Sequence, residues 1–210
     1  MKSYHTKFLS SLSDTPTTVV NMPAYHSSIS NQNCQIIGNV PLLPLKTTCK
    51  SRGVKGVAPF CNDNAFDIVD ESLDLFKANI LFSTYEIKDK SDLLLVYNIL
   101  YIQLCLQKLA KISNQEEAER AVFTQALKQF ALPGDANFPL NAFFHKPKNA
   151  SEGTELRNYL TQMRQEVGSR LVEKVFGMSL DGKPSKWWIC FARNSRKFLK
   201  TQLTEWSFVL

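Results

Sequence analysis

The chain has 210 residues, a length typical of one domain, and 44% of them are hydrophobic, which is enough for a buried core. Lysine and arginine outnumber aspartate and glutamate by 25 to 19, a moderate excess that permits an acidic partner and that solubility explains equally well. No stretch reaches the roughly 18–20 apolar residues of a membrane-spanning helix, so we expect no membrane insertion.

The five cysteines are scattered and include no Cys-x-x-Cys pair. This spacing indicates neither a disulfide framework nor a zinc site. We expect Cys105 and Cys190 to be small buried apolar groups.

The first part of the chain has little pattern of regular structure. Residues 1–21 are polar, and their few apolar side chains cannot offset the entropy of ordering them, so we predict a disordered extension. A weak organelle-targeting peptide is the alternative. Residues 22–62 contain four prolines and three glycines and predict an extended segment wrapped over the core.

A first, amphipathic helix is indicated by apolar residues at helical spacing, with acidic residues crowded into its first turns. We expect Asp63 or Asn64 to be its N-cap. Its apolar face comprises Val69, Leu73, Phe76 and Ile80.

The second helix, Leu93 to Leu109, is apolar on nearly every side, and Asp89 or Ser91 can cap it. A helix without a polar face must be surrounded by other elements. We therefore predict that it is the centre of the domain.

A third helix opens at Ser113, which has capping-box spacing with Glu116, and it stops before Pro133. Its expected apolar face is Phe123, Leu127 and Phe130. The following loop is expected to be anchored by Phe138, Phe143 and Phe144.

The fourth and longest helix carries one apolar stripe, supported by Glu166 and Arg170 at i,i+4, and ends at Gly177 or Gly182. The stripe comprises Leu156, Leu160, Met163, Val167, Leu171 and Val175. A final short helix is predicted within residues 185–203. The predicted fold is an all-α single compact domain, with one central helix surrounded by the others and an extended N-terminal segment.

Catalysis finds little support in the sequence. His5, His26 and His145 are isolated from one another and from ligand-spaced cysteines or carboxylates. No nucleophile elbow, phosphate loop or dinucleotide fingerprint occurs. We expect no enzyme activity and no catalytic, cofactor-binding or metal-binding residues.

The segment KPSKWWICF at residues 183–191 places two tryptophans among lysines. Such aromatics can stack on single-stranded nucleic acid, close a hydrophobic core or anchor a protein contact. Adjacent side chains cannot both face the same way on a helix, so we expect one tryptophan inside the core. The residues alone support core closure and protein contact equally, and nucleic-acid binding less.

Seven collinear blocks of sequence resemble subunit 3 of the actin-related protein 2/3 complex, over about residues 22–198. They are MPAYHSS at 22–28, PLLPLK at 41–46, DIVDESLDLFKAN at 67–79, YEIK at 85–88, PGDANFPLNA at 133–142, LRNYLTQMRQEVGSRLVEKVF at 156–176 and KPSKWWICFAR at 183–193. Residues 199–210 form a divergent tail outside the resemblance.

The resemblance implies an all-α, non-catalytic structural subunit that supports actin filament nucleation and branching, without a cofactor of its own. The implied partners are actin-related protein 3, the other subunits and, through the complex, actin filaments. The implied location is the cytoplasm, the actin cytoskeleton and cell projections. A basic helical nucleic-acid-binding module is the alternative, although we expect no nucleic-acid partner. The expected partner interface comprises Lys183, Pro184, Lys186, Trp187, Trp188, Lys46 and Lys55.

Overall fold

The computed structural model describes residues 24–47, 58–59, 61, 65–177 and 182–193. In these residues a short antiparallel hairpin, β1 (Ile36–Ile37) and β2 (Val40–Pro41), precedes five α-helices and a final 3₁₀ turn. The helices are α1 (Ile68–Asn79), α2 (Lys90–Leu109), α3 (Gln115–Leu127), α4 (Ala150–Phe176) and α5 (Lys186–Ile189), and the 3₁₀ turn is Cys190–Arg193. The all-α prediction is confirmed, with the hairpin as a small addition.

Helix α2 is the centre of the domain, as predicted. Sixteen of its 20 residues are buried, so no face of the helix is left for solvent. Helices α1, α3 and α4, strand β2 and the 3₁₀ turn all contact it. The helix is long and apolar enough to cross a membrane, but its enclosure by these elements is that of a core helix.

Two buried amides of α2 find partners on neighbouring elements. Asn98 Nδ2 donates to Ser72 Oγ of α1 at 2.9 Å. Gln103 Nε2 donates to the carbonyl of Phe191 at 3.2 Å. Because buried polar groups need hydrogen bonds, these two amides fix where α1 and the 3₁₀ turn sit on α2.

The helix N-termini differ in part from the sequence predictions. Asp89 caps α2, which was one of its two candidates. Helix α1 is capped by Asp67, which accepts from the backbone N–H groups of Val69 and Asp70, so the choice of Asp63 or Asn64 was wrong. Helix α3 is capped by Asn114. Asp67 and Asn114 each lie immediately before the first helical residue. Their side-chain oxygens can therefore accept directly from the free N–H groups of the first turn.

The packed face of α3 also differs from the prediction. Leu127 is 46% exposed and Phe123 and Phe130 are half-buried, whereas the buried residues are Ala118, Val122, Gln125 and Ala126. A Cβ added to Gly168 of α4 would lie 3.2 Å from Val122. Small residues on α3 therefore allow it to approach α4 closely, and the larger aromatics are left at the edge of this contact.

Helix α4 has the predicted stripe, every residue of which is buried, and its C-cap is Gly177. The preceding loop is anchored by Phe138 and Phe144, whose rings meet edge to face at 5.3 Å, while Phe143 is half-buried. Cys105 is buried as expected. Cys190 is exposed, contrary to the prediction, because it follows the inward-facing Trp188 by two residues, about 200° around the helix.

The extended segment, residues 24–47, is held on the helices by buried polar side chains. Glu71 of α1 accepts from the Ser28 N–H at 2.7 Å and from the Ser28 hydroxyl at 2.6 Å. Asp92 of α2 accepts from the Ser27 N–H at 2.8 Å. The Asn79 side chain accepts from the Tyr25 N–H and donates to the Tyr25 carbonyl, both at 2.9 Å. An extended chain cannot satisfy its own backbone groups, so these side chains supply what a neighbouring strand would supply in a sheet.

The central position of α2 can be tested with one substitution made at a buried and at an exposed leucine. Leu106 is 0% exposed on α2, and Leu127 is 46% exposed on α3. We expect Leu106→Ala to lower the free energy of unfolding by about 2–5 kcal/mol. Leu127→Ala should change it by less than about 1 kcal/mol. Urea unfolding curves measure both values, and equal losses would contradict the assignment of α2 to the core.

Candidate partner interface

The two tryptophans lie on what we call the tryptophan turn, residues 182–193, which comprises α5 and the 3₁₀ turn. The Ser185 N–H donates to the carbonyl of Val175 at 2.8 Å, which ties the turn to the end of α4. The carbonyl of Ser185 then accepts from the N–H groups of Trp188 and Ile189 at 3.0 Å and starts α5. The position of the turn is thus fixed by backbone bonds.

Trp188 closes the core. It is 7% exposed and stacks on Phe76 of α1, with ring centroids 5.9 Å apart and planes inclined by 18°. Lys77 Nζ lies 4.3 Å from the centroid of the Trp188 ring, a cation–π contact that the sequence did not indicate. Phe191 meets Phe76 edge to face at 5.8 Å. The expectation that one tryptophan is internal is confirmed.

Trp187 points the other way and is 80% exposed. Lys183 and Lys186 are exposed beside it in the sequence, and Pro184 is half-buried. Adjacent residues on a helix are about 100° apart, so packing Trp188 inward turns Trp187 outward. The turn therefore presents a large apolar ring and two cations from a fixed backbone.

Lys46 lies away from the tryptophan turn, beside the first turn of α1. Its ammonium pairs with Asp70 at 2.5 Å in the first turn of α1, whereas Trp188 packs on Phe76 near the end of that helix. Its side chain is 19% exposed, and its charge is neutralised within the domain. The structure therefore does not join Lys46 to the tryptophan turn. Lys55 lies outside the described residues.

Lys46 belongs to an ionic network centred on Arg170 of α4. Arg170 binds Asp67 through two parallel hydrogen bonds of 2.6 and 3.0 Å and binds Asp70 at 3.0 Å. It also donates to the carbonyl of Lys46 at 2.6 Å. The predicted contact with Glu166 is present at 3.3 Å. The network therefore joins α1, α4 and the end of the extended segment.

The charges of this network shift two pKa values. Burial by itself would raise the pKa of Asp70, but the hydrogen bond from Lys46 and the charge of Arg170 outweigh it and hold that pKa below its ordinary value. Burial by itself would lower the pKa of Arg170, and the pairing with Asp67 raises it instead. Both groups are therefore kept charged by their partners.

His26 and His145 are the two histidines within the described residues. His26 Nδ1 lies 3.0 Å from Asp92 Oδ2, in the cluster that anchors the extended segment. Among the described residues no group of three histidine, cysteine, aspartate or glutamate side chains has the geometry of a metal site. His145 contributes its backbone N–H to Asn39 at 2.8 Å.

Comparison with known proteins gives one consistent family. A family model described as P21-Arc, the ARP2/3 complex ARPC3 (21 kDa) subunit, matches residues 22–203. The chain is similar to actin-related protein 2/3 complex subunit 3 of Dictyostelium discoideum, 44% identical over 181 residues covering 85% of this chain and 99% of that protein. The proteins of the same name from Schizosaccharomyces pombe and Saccharomyces cerevisiae are each 40% identical, covering 87% of this chain and 100% of their own length.

The chain belongs to the family of actin-related protein 2/3 complex subunit 3. The resemblance read from the seven sequence blocks is confirmed. The protein is a structural subunit of the actin-related protein 2/3 complex, and its partners are other subunits of that complex. Its setting is the cytoplasmic actin cytoskeleton.

The lowered pKa of Asp70 predicts how its contribution to stability depends on pH. A carboxyl group whose pKa is depressed in the folded state stabilises the fold above its unfolded pKa, about 3.9, and loses that effect as pH falls through the folded pKa. We expect Asp70→Asn to lower the unfolding free energy at neutral pH and the difference from wild type to shrink below about pH 4.

Asp74→Asn is the matched control, because Asp74 forms an exposed pair with Lys174 at 3.0 Å. That substitution should cost less than about 1 kcal/mol at neutral pH. Urea unfolding across the pH range measures both variants. If the cost of Asp70→Asn is the same at neutral and acidic pH, the network does not depend on the Asp70 charge.

Proposed function

We propose that the tryptophan turn is the surface through which this subunit binds a partner in the complex, and that Trp187 is the central anchor. The observation that carries the proposal is the 80% exposure of Trp187 next to a Trp188 that is 7% exposed. Tryptophan is the residue type most enriched among side chains that dominate binding energy at interfaces. A single exposed apolar residue is common on protein surfaces, and what distinguishes Trp187 is the backbone that carries it.

The anchoring of the turn favours binding. The bond from Ser185 to Val175 and the stack of Trp188 on Phe76 fix the backbone that carries Trp187. A partner therefore does not have to order this backbone on binding, which lowers the entropic cost of association. The indole ring itself has only two rotatable bonds to restrict.

The flanking charges indicate the kind of partner surface. Lys183 and Lys186 are exposed, and Pro184 limits the backbone between them. An acidic surface with an apolar pocket would complement this arrangement. Lys46, whose charge is already paired, contributes less to the proposed interface, and Lys55 remains a proposed interface residue beyond the described part of the chain.

The resemblance suggests actin-related protein 3 as the partner that the tryptophan turn contacts, with actin filaments engaged through the assembled complex. We extend the proposal to a non-catalytic role in filament branching at cell projections. The use of Glu71, Asp92 and His26 in holding the extended segment supports an architectural role for these groups. Neither a cofactor nor a nucleic-acid partner is part of the proposal.

The proposal is tested by three alanine variants of the full chain, assembled with the other subunits. Trp187→Ala should melt like wild type but bind the actin-related subunits more weakly by about 2 kcal/mol or more. Trp188→Ala should lose about 3–5 kcal/mol of stability, because its ring fills the core. Thermal melts and quantitative pull-downs separate the two effects.

Phe66→Ala is the control for the interface, since Phe66 is an aromatic residue that is 56% exposed and immediately precedes Asp67, the N-cap of α1. It should change neither stability nor binding. Retention of the actin-related subunits by Trp187→Ala at the wild-type level would show that the turn is not the interface. A steep loss of this binding in moderate salt would show that the contact is mainly electrostatic and does not depend on the indole ring of Trp187.

A further inference from the structure

The end of α1 has an apolar outer surface. Residues 75–81, which form the last turn of α1 and the residues just after it, read LFKANIL, and Lys77 is the one charged residue among them. Backbone hydrogen bonds of 2.9 and 3.0 Å continue the helical path through residue 82. A helix at a protein surface normally turns polar side chains toward solvent. The end of α1 therefore has the composition of a helix that is covered on every side.

Lys77 and Asn79 mark the two sides of this surface. Successive helical residues are about 100° apart, so these two side chains project on nearly opposite sides of α1. The Lys77 ammonium lies 4.3 Å from the centroid of the Trp188 ring. The Asn79 side chain binds both the N–H and the carbonyl of Tyr25 at 2.9 Å. The tryptophan turn therefore lies on one side of α1 and the extended segment on the other.

Apolar side chains fill the arc between these two sides, on the face of α1 directed away from the core. Leu81 follows Lys77 by one turn, and Leu75 precedes Asn79 by one turn. Ala78 lies midway, about 100° from each of the two sides. Leu81 is 55% exposed, and Leu75 and Ala78 are half-buried. The arc is therefore apolar and open to solvent.

Three of the six large hydrophobic side chains that are exposed in the described part of the chain border this arc. They are Tyr25 and Leu81, each 55% exposed, and Trp187, 80% exposed. Exposed apolar residues that occur singly need no explanation, but a contiguous group marks a contact surface. The chain is a subunit of a complex, so other subunits cover part of it. We call the group Tyr25, Leu75, Ala78 and Leu81 the α1 end surface.

The charges beside the α1 end surface are positive or already paired. Asp74, on the outer side of α1, pairs with Lys174 at 3.0 Å. No ion pair within the described ranges involves Lys77, Lys183 or Lys186. An apolar surface edged by unpaired cations is complemented by an apolar surface edged by carboxylates.

We propose that the α1 end surface binds the same subunit of the complex as the tryptophan turn, through an apolar surface of that subunit edged by carboxylates. The inference deepens the proposed function and rests on it for the identity of the partner. Leu81 packs against the partner, and the small side chain of Ala78 lets the partner approach α1 closely. The backbone of Tyr25 is already fixed by Asn79, so binding does not have to order it.

The first test is competition for assembly. Equal amounts of wild-type and variant full chain equilibrate with a limiting amount of the other subunits, and mass spectrometry measures their ratio in the purified complex. We expect Leu81→Ala to be incorporated at least about fivefold less than wild type. Leu127→Ala is the matched control, 46% exposed on α3, and should be incorporated equally. Both variants should melt like wild type, because both side chains are largely exposed.

Equal incorporation of Leu81→Ala and Leu127→Ala overturns the proposal. Trp187→Ala in the same competition separates it from the proposed function. Poor incorporation of Trp187→Ala alone leaves the tryptophan turn as the interface and removes the α1 end surface. Poor incorporation of Leu81→Ala alone keeps the α1 end surface as a contact and removes the tryptophan turn.

Photo-crosslinking identifies what covers the surface. Benzoylphenylalanine is placed at position 81 in one variant and at position 187 in another, and each full chain is assembled with the other subunits. We expect both positions to cross-link to one and the same subunit. Cross-links from position 81 to a different subunit, to a second copy of this chain or to residues 194–210 of its own chain overturn the proposal.

Discussion

A helix that is apolar on every face can be stable in water only where other elements surround it, and α2 imposes this condition on the whole domain. Each neighbouring element covers one side of it and is itself amphipathic or extended. Helix α1 packs on α2 through its apolar face and α4 packs through its apolar stripe. Strand β2 and the 3₁₀ turn cover other parts of the α2 surface. The buried amides Asn98 and Gln103 then select one arrangement of these covers.

The extended segment has no helical hydrogen bonds of its own, and buried carboxylates of the helices hold it in place. Glu71 and Asp92 hold the start of the extended segment, and Arg170 with Asp67 holds its end. At the opposite end of α1 the tryptophan turn completes the enclosure. Its inner ring seals the core and its outer ring is left in solvent, so the requirement to cover α2 also positions the surface proposed for binding.

The sequence was most informative where a residue's role depends on local spacing. The apolar run of α2 and the stripe of α4 follow from helical periodicity, and the opposite directions of Trp187 and Trp188 follow from their adjacency. The sequence could not show partners that are distant along the chain. The ion pair with Asp70 neutralises the charge of Lys46, which the sequence suggested was available to a partner. The close approach of α3 and α4 at Gly168 buries a different face of α3 from the one predicted.

The tryptophan turn has a core side, formed by Trp188, and a proposed partner side, formed by Trp187. Hydroxyl-radical footprinting with mass spectrometry can measure the oxidation rate of each tryptophan in the isolated chain and in the assembled complex. We expect Trp187 to be oxidised rapidly in the isolated chain and several-fold more slowly after assembly, and Trp188 to be oxidised slowly in both. Rapid oxidation of Trp187 in the complete complex would contradict this expectation.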